Sequence, residues 1–153
     1  MILPWTNFSI DVLSMKKYQI IIGSNTEQEK HIAQVHLALQ AVFDDIVYSS
    51  LMLTEPVGMT NPAVFYNQVA QITTSLSSQE LNCLFKQMEI EIGRTPDDKK
   101  NGIVKIDIDL LASETQVYKP AEMERSYIRQ GLAELERLET QSLETAGNGL
   151  TEC

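Results

Sequence analysis

Apolar positions change their period along the chain, and each change marks an element. Tyr18 to Ile22 is a short, continuous, β-branched run closed by Gly23-Ser24-Asn25, which predicts a buried strand. Thr26-Glu27-Gln28-Glu29 has the spacing of a capping box and predicts a helix to about Phe43, with Ile32, Val35, Leu39 and Val42 as its buried stripe. Ile46 to Leu53 reads as a second strand and Val64 to Thr73 as a third. Between them Thr54 to Pro62 is rich in Pro, Gly and Asn, which predicts a loop. Ser77-Ser78-Gln79-Glu80 offers another capping box. Leu81, Leu84, Phe85, Met88 and Ile92 continue it at helical spacing, and Gly93 is placed to stop it. After a polar loop from Thr95 to Asn101, Ile103 to Leu111 predicts a fourth strand, and a last helix runs from about Ala121 to Leu138 behind Pro120.

The order is therefore strand, helix, strand, strand, helix, strand, helix. A βαββαβ series with a C-terminal helix predicts an α+β fold of the ferredoxin-like kind, an antiparallel sheet with helices packed on it. Residues 1–15 read as an N-terminal extension, with Met15 a second candidate start, and 16–138 as one domain. Residues 139–153 are low in apolar content and read as a disordered tail.

Composition narrows the function. The chain has 153 residues, of which 43% are hydrophobic and 22% charged, as in an ordinary globular domain. Its formal charge of −9 argues against a nucleic-acid binder, which needs a basic footprint. No apolar run reaches the length of a membrane span, so neither nucleic acid nor membrane is expected as a partner. Cys83 and Cys153 have no CxxC partner or nearby His, which disfavours a disulfide or zinc site and fits a reducing cytoplasm. His31 and His36 are spaced five apart and read as structural. A phosphate ligand on so acidic a chain would need metal ions or a few local Lys and Arg.

Val104-Lys105-Ile106-Asp107-Ile108-Asp109-Leu110 is the most informative segment. Strand alternation puts Lys105, Asp107 and Asp109 on one face and Ile106, Ile108 and Leu110 on the other. Two carboxylates one pleat apart, about 7 Å at Cα, can hold one or two Mg²⁺ that neutralise ATP phosphates. Taken alone, the same alternation also describes a solvated strand face.

The succession of further segments distinguishes the two. Gly23-Ser24-Asn25 closes the first strand and Thr54-Glu55-Pro56-Val57-Gly58 follows the second. Phe65-Tyr66-Asn67 opens the third, Glu89-Ile90-Glu91-Ile92-Gly93-Arg94 closes the second long helix, and Asp107-Ile108-Asp109-Leu110-Leu111 comes one loop later. In this order and spacing, over roughly residues 17 to 135, the chain resembles the hydroxymethyl-dihydropterin pyrophosphokinases (HPPK) of folate biosynthesis. The resemblance implies Mg-dependent transfer of pyrophosphate from ATP to 6-hydroxymethyl-7,8-dihydropterin, and a monomer is expected. It implies that Asp107 and Asp109 hold two Mg²⁺. It implies a pterin pocket of Thr54, Glu55, Pro56, Val57, Phe65 and Asn67, and a nucleotide site that includes Glu89 and Arg94.

Each residue also has a plainer reading. Asn67 could satisfy a strand-end backbone group, Phe65 could be core, Glu89 could face solvent, and Arg94 could complement a helix C-terminus. Lys99 and Lys100 read as an exposed charge pair, or as a basic loop that closes on phosphates. The chain also departs from the family. The Trp and Arg that family members carry before the aspartate strand are absent from Asn101-Gly102-Ile103-Val104-Lys105, and Lys105 is the nearest substitute. The His-Tyr pair expected after Pro120 is replaced by Ala121-Glu122, which leaves Arg125 or Arg129 as candidate nucleotide contacts. The alternatives to an active enzyme are a catalytically impaired nucleotide- or pterin-binding protein and a ferredoxin-like protein-interaction domain.

Overall fold

The structure, a computed structural model, describes residues 14–56 and 62–151. Strand β1 (Lys16–Ser24) leads to helix α1 (Gln28–Val42), then β2 (Asp45–Tyr48), β3 (Met52–Thr54) and β4 (Phe65–Thr74). Helix α2 (Ser78–Ile92), the one-turn α3 (Pro96–Lys100), β5 (Asp107–Ser113), the one-turn α4 (Pro120–Met123) and α5 (Ser126–Thr151) complete the chain. The sheet order is β2-β4-β1-β5, every pairing is antiparallel, and β3 pairs with β4 beyond β2. Counting β2 and β3 as one interrupted strand gives the order predicted for the ferredoxin-like arrangement.

Period-two alternation divides the sheet into two faces. Tyr18, Ile20, Ile22, Ala70, Ile72, Ile108 and Leu110 point to one face, where Ile32, Val35 and Leu39 of α1 and Leu81, Phe85 and Met88 of α2 cover them. Helix α5 lies on the opposite face, where Ile128, Leu135 and Leu132 pack on Ile21, Met52, Val69 and Leu111. Gly131 sets how close this helix comes. A Cβ added there would lie 2.6 Å from Val69 Cγ2 and 3.1 Å from Met52 Cε, closer than packed carbon atoms tolerate.

Several boundaries differ from the sequence reading. The capping box at Thr26–Glu29 does not form. Glu27 takes a left-handed conformation (φ 42°) with no side-chain cap, and α1 starts at Gln28. The Thr26 carbonyl instead accepts from Ser24 Oγ and from His31 Nδ1, at 3.1 and 2.6 Å. Val42 is exposed and Phe43 takes its place in the core. The second strand is broken at Ser49, whose N–H and Oγ are both used by Val69, and Glu134 of α5 accepts from the N–H and hydroxyl of Ser50. The fourth strand begins at Asp107 rather than Ile103. Residues 102–104 are tied to the Asn25 side chain, whose Nδ2 donates to Gly102 O (2.9 Å) and whose Oδ1 accepts from Val104 N (2.6 Å). The loop after Gly93 contains α3, in which Asp98 Oδ2 accepts from Thr95 N. Helix α5 runs past Leu138 to Thr151. By contrast, the Ser77–Glu80 box closes as expected, and Gly93 (φ 124°) ends α2.

Replacing Gly131 by Ala improves helix propensity by about 1 kcal/mol. We expect it nevertheless to destabilise the protein by about 1–3 kcal/mol, the usual cost of overpacking; urea denaturation checks this, and a stabilised variant would contradict the close packing. Two hydrogen bonds from Ser50, the backbone one first, lower the pKa of Glu134. A carboxylate lowered in the folded state adds stability above its unfolded value of about 4.3, and loses it as pH falls through the folded value. Glu134→Gln should therefore cost about 1 kcal/mol at pH 7, and the difference from wild type should shrink below pH about 4. A difference that persists at low pH would show that the carboxylate charge is not what matters.

Candidate active site

Helix α5 covers only part of its sheet face. Beyond Ile21 and Val69 the same face continues through Gly23, Asn67 and Asp107, which lie side by side across three strands (Asn67↔Gly23↔Asp107) with Met52 opposite Asn67. The next row pairs Phe65 with Thr54. Gly23 keeps this row open, because a Cβ there would lie 3.3 Å from Asn67 Oδ1 and 3.9 Å from Phe65 Cδ1.

The uncovered half of the face is the floor of a cleft. Its walls are Thr54, Glu55 and Pro56 on one side and Lys119, Glu122, Arg125 and Tyr127 on the other, with Asp107 and Asp109 at one end. Asn67 is buried, and its Nδ2 donates to Thr54 Oγ1 at 2.7 Å. Its Oδ1 points towards Gly23. Val57, the remaining residue of the expected pterin pocket, lies outside the described residues, as do residues 1–13 of the N-terminal extension.

Asp107 and Asp109 also border a second groove. It is formed by Asn82, Lys86, Glu89 and Ile90 of α2, by Arg94 and Thr95, and by Pro96 and Lys99 of α3. The aspartate pair thus forms the partition between two cavities. Among the described residues no cluster of three or more His, Cys, Asp or Glu offers a closed metal cage. Two carboxylates with open space on both sides suit Mg²⁺, which takes one or two protein carboxylates and completes its shell with water and phosphate oxygens.

The electrostatics around the pair are tense. Burial, and then the neighbouring Asp107, push the Asp109 carboxyl up to about 6. Glu89 is buried behind the strand. Its Oε2 accepts from the Ile108 N–H at 2.8 Å and its Oε1 from Arg94 Nη1 at 2.9 Å. Desolvation raises Glu89 to about 7, against the pull of the Ile108 N–H. The same Arg94 nitrogen reaches Asp107 Oδ1 at 3.1 Å, so one guanidinium joins the end of α2 to the aspartate strand.

Lys105 and Arg125, the other expected nucleotide contacts, do not line the second groove. Lys105 Nζ donates to Gly93 O at 2.8 Å and pairs with Asp98 at 3.3 Å, which clamps α3 to the end of α2. Arg125 lines the first cleft rather than the second groove and pairs with Glu122 at 3.2 Å. Lys119, Glu122 and Tyr127 were not singled out in the sequence. No motif marks their role: the hairpin after β5 and the turn α4 bring Lys119 and Glu122 to the cleft, and the start of α5 brings Tyr127.

A family model described as 7,8-dihydro-6-hydroxymethylpterin-pyrophosphokinase (HPPK) matches residues 19–137. The chain is 34% identical over 127 residues to the 2-amino-4-hydroxy-6-hydroxymethyldihydropteridine pyrophosphokinase of Bacillus subtilis (strain 168), covering 76% of this chain and 75% of that protein. Among solved structures, the C-terminal domain of the MgtC protein from Mycobacterium tuberculosis aligns with a TM-score of 0.37 and 12% identity, over 67% of this chain and 94% of that one. The family match spans the sheet, both cavities and the aspartate partition between them, and the chain belongs to the HPPK family.

Proposed function

We propose that this protein transfers pyrophosphate from ATP to 6-hydroxymethyl-7,8-dihydropterin, with the pterin in the first cleft and the nucleotide in the second groove. The observation that carries this assignment is the aspartate pair shared by both cavities. A donor on one side and an acceptor on the other meet at that partition, and holding them there is the larger part of catalysing a displacement at phosphorus. Family membership supports the reaction and its two substrates.

In the first cleft Asn67 supplies an amide that can both donate to and accept from the pterin edge, and Thr54 Oγ1 fixes its orientation. Phe65 offers a ring beside the heterocycle, with Thr54, Glu55 and Pro56 as the wall beside it. In the second groove Lys86, Arg94 and Lys99 provide positive charge on an otherwise acidic chain. Glu89 holds Arg94 and the Ile108 N–H in place from within the protein, and so positions the aspartate strand. Lys105 acts through the backbone it clamps, keeping α3 at the rim of the groove.

Asp107 and Asp109 are the residues that would hold Mg²⁺, two ions in our reading, and the metal would neutralise phosphate charge and orient the groups in line. Both cavities are built within one chain, which fits a monomer. We take residues 16–138 as the functional unit in a cytoplasmic setting, with 1–15 and 139–153 as flanking segments.

The test is AMP formation from ATP with purified protein. Wild type should release AMP only when both Mg²⁺ and hydroxymethyl-dihydropterin are present. Asp107→Ala should lower kcat by about 10²–10³-fold, the usual effect of removing one charge-stabilising group. Folded wild type that binds both ligands without making AMP would select the impaired binding protein, and absence of binding would select the interaction domain. Asn67→Ala should weaken pterin binding by about 1–3 kcal/mol, since it removes a buried polar partner. Isothermal calorimetry reads that directly, and unchanged affinity would remove Asn67 from the pterin site.

A further inference from the structure

We propose that Lys119 is a further catalytic residue, whose ammonium contacts the pyrophosphoryl group on the pterin side of the aspartate partition. This rests on the assignment of the two cavities above.

The first cleft carries four carboxylates, on Glu55, Asp107, Asp109 and Glu122, and two cations, on Lys119 and Arg125. Arg125 is paired with Glu122. Among the described residues Lys119 makes no ion pair, although it acts on Asp109 through the electrostatic field and favours the ionised carboxylate. It is the cation of this cleft that no protein carboxylate holds. Lys86 and Lys99, which also make no ion pair among the described residues, line the other groove.

The backbone of Lys119 is held rather than trailing. Strand β5 shifts register against β1 between Gln19 and Ile20, so that Leu110 faces Ile20 and Ala112 faces Gln19 with Leu111 extra between them. The carbonyl of this bulged residue accepts from both Tyr118 N (2.8 Å) and Lys119 N (3.3 Å). Between them the chain closes a tight hairpin. Ser113 N donates to Gln116 O at 2.7 Å, the Ser113 hydroxyl accepts from the N–H groups of Thr115 and Gln116, and Ala112 bridges Val117. Bulges commonly re-aim residues beside active sites. Here the bulge and hairpin return the chain to the cleft two residues beyond the bridge, with Lys119 immediately before Pro120 starts α4.

The chemistry gives a cation at that place a use. The hydroxymethyl oxygen attacks the β-phosphorus, an O–P bond forms, and the bridge between the α- and β-phosphorus breaks. The bridge electron pair leaves with AMP, and the hydroxyl proton passes to water. The non-bridging oxygens of the transferred group keep their negative charge as they move from the nucleotide groove into a cleft rich in carboxylates. Lys119 opposes that unfavourable field on the receiving side. Its ammonium acts as a charge and exchanges no proton.

Lys119→Met and Lys119→Arg test this, with pterin affinity and melting temperature as controls. We expect the Met variant to lose at least tenfold in kcat while its affinity for the uncharged pterin stays within twofold. The Arg variant should recover most of the loss, because it restores the charge. A second readout does not need turnover. Binding of α,β-methylene-ATP with magnesium and the pterin present should weaken at least fivefold in the Met variant, and binding without the pterin should change less. Should wild type release no AMP, the transfer reading fails on its own, and the analogue titration still decides whether Lys119 meets phosphate. A kcat within twofold of wild type, or analogue affinity unchanged in the Met variant, would overturn the proposal.

Discussion

Helix α5 approaches β4 so closely at Gly131 that Val69 and Leu111 are sealed, yet it starts at Ser126 and leaves Gly23, Asn67 and Asp107 uncovered on the same face. The site depends on this partial coverage. An apolar half fixes the helix, and the polar half beside it, part of the same sheet, stays open as the floor of the first cleft. Residues from three strands therefore share a floor whose spacing is set by the hydrogen-bond ladder rather than by loop conformation. The connections above that floor, Thr54–Pro56 and Lys119–Arg125, supply the walls.

Charge is distributed with the same economy. The chain is strongly acidic, and Asp109 is raised because it is buried and lies beside Asp107. Such a pair is unfavourable until a cation joins it, and in the proposed function that cost would be returned as affinity for a divalent ion. Arg94 relieves Asp107 in part and is itself held by Glu89, whose other oxygen receives the Ile108 N–H. Through that chain of contacts the C-terminal end of α2 is tied to the aspartate strand, and with it one wall of the second groove to the partition of both cavities.

How far the sequence was legible follows from the range of the interactions involved. Period-two alternation in β5, the Ser77 capping box and the Gly93 stop are local, and each stands where the pattern put it. The row of Gly23, Asn67 and Asp107 was not legible, because no local pattern brings three strands into register. The break at Ser49 could not be read, since the carboxylate that satisfies Ser50 comes from Glu134 in the last helix. The failed cap at Thr26 shows the converse. A local motif of the right spacing is not used, because the Thr26 hydroxyl that would cap the helix donates instead to Asn25 Oδ1 and the helix starts one residue later. Helix α3 did carry a signal, Thr95-Pro96 followed by Asp97-Asp98, that reading the segment as a polar loop passed over. Position in sequence makes Lys105 the nearest substitute for the family Arg, and its contacts with Gly93 O and Asp98 lie beyond what the sequence shows.

The central claim is that one pair of carboxylates divides two ligand cavities and gathers divalent metal between them. Its most direct measurement is the anomalous scattering of Mn²⁺ in crystals grown with α,β-methylene-ATP and hydroxymethylpterin. The account predicts manganese within coordination distance of Asp107 and Asp109, with the nucleotide over Arg94 and the pterin against Asn67. Manganese bound elsewhere, or both ligands in a single cavity, would contradict it.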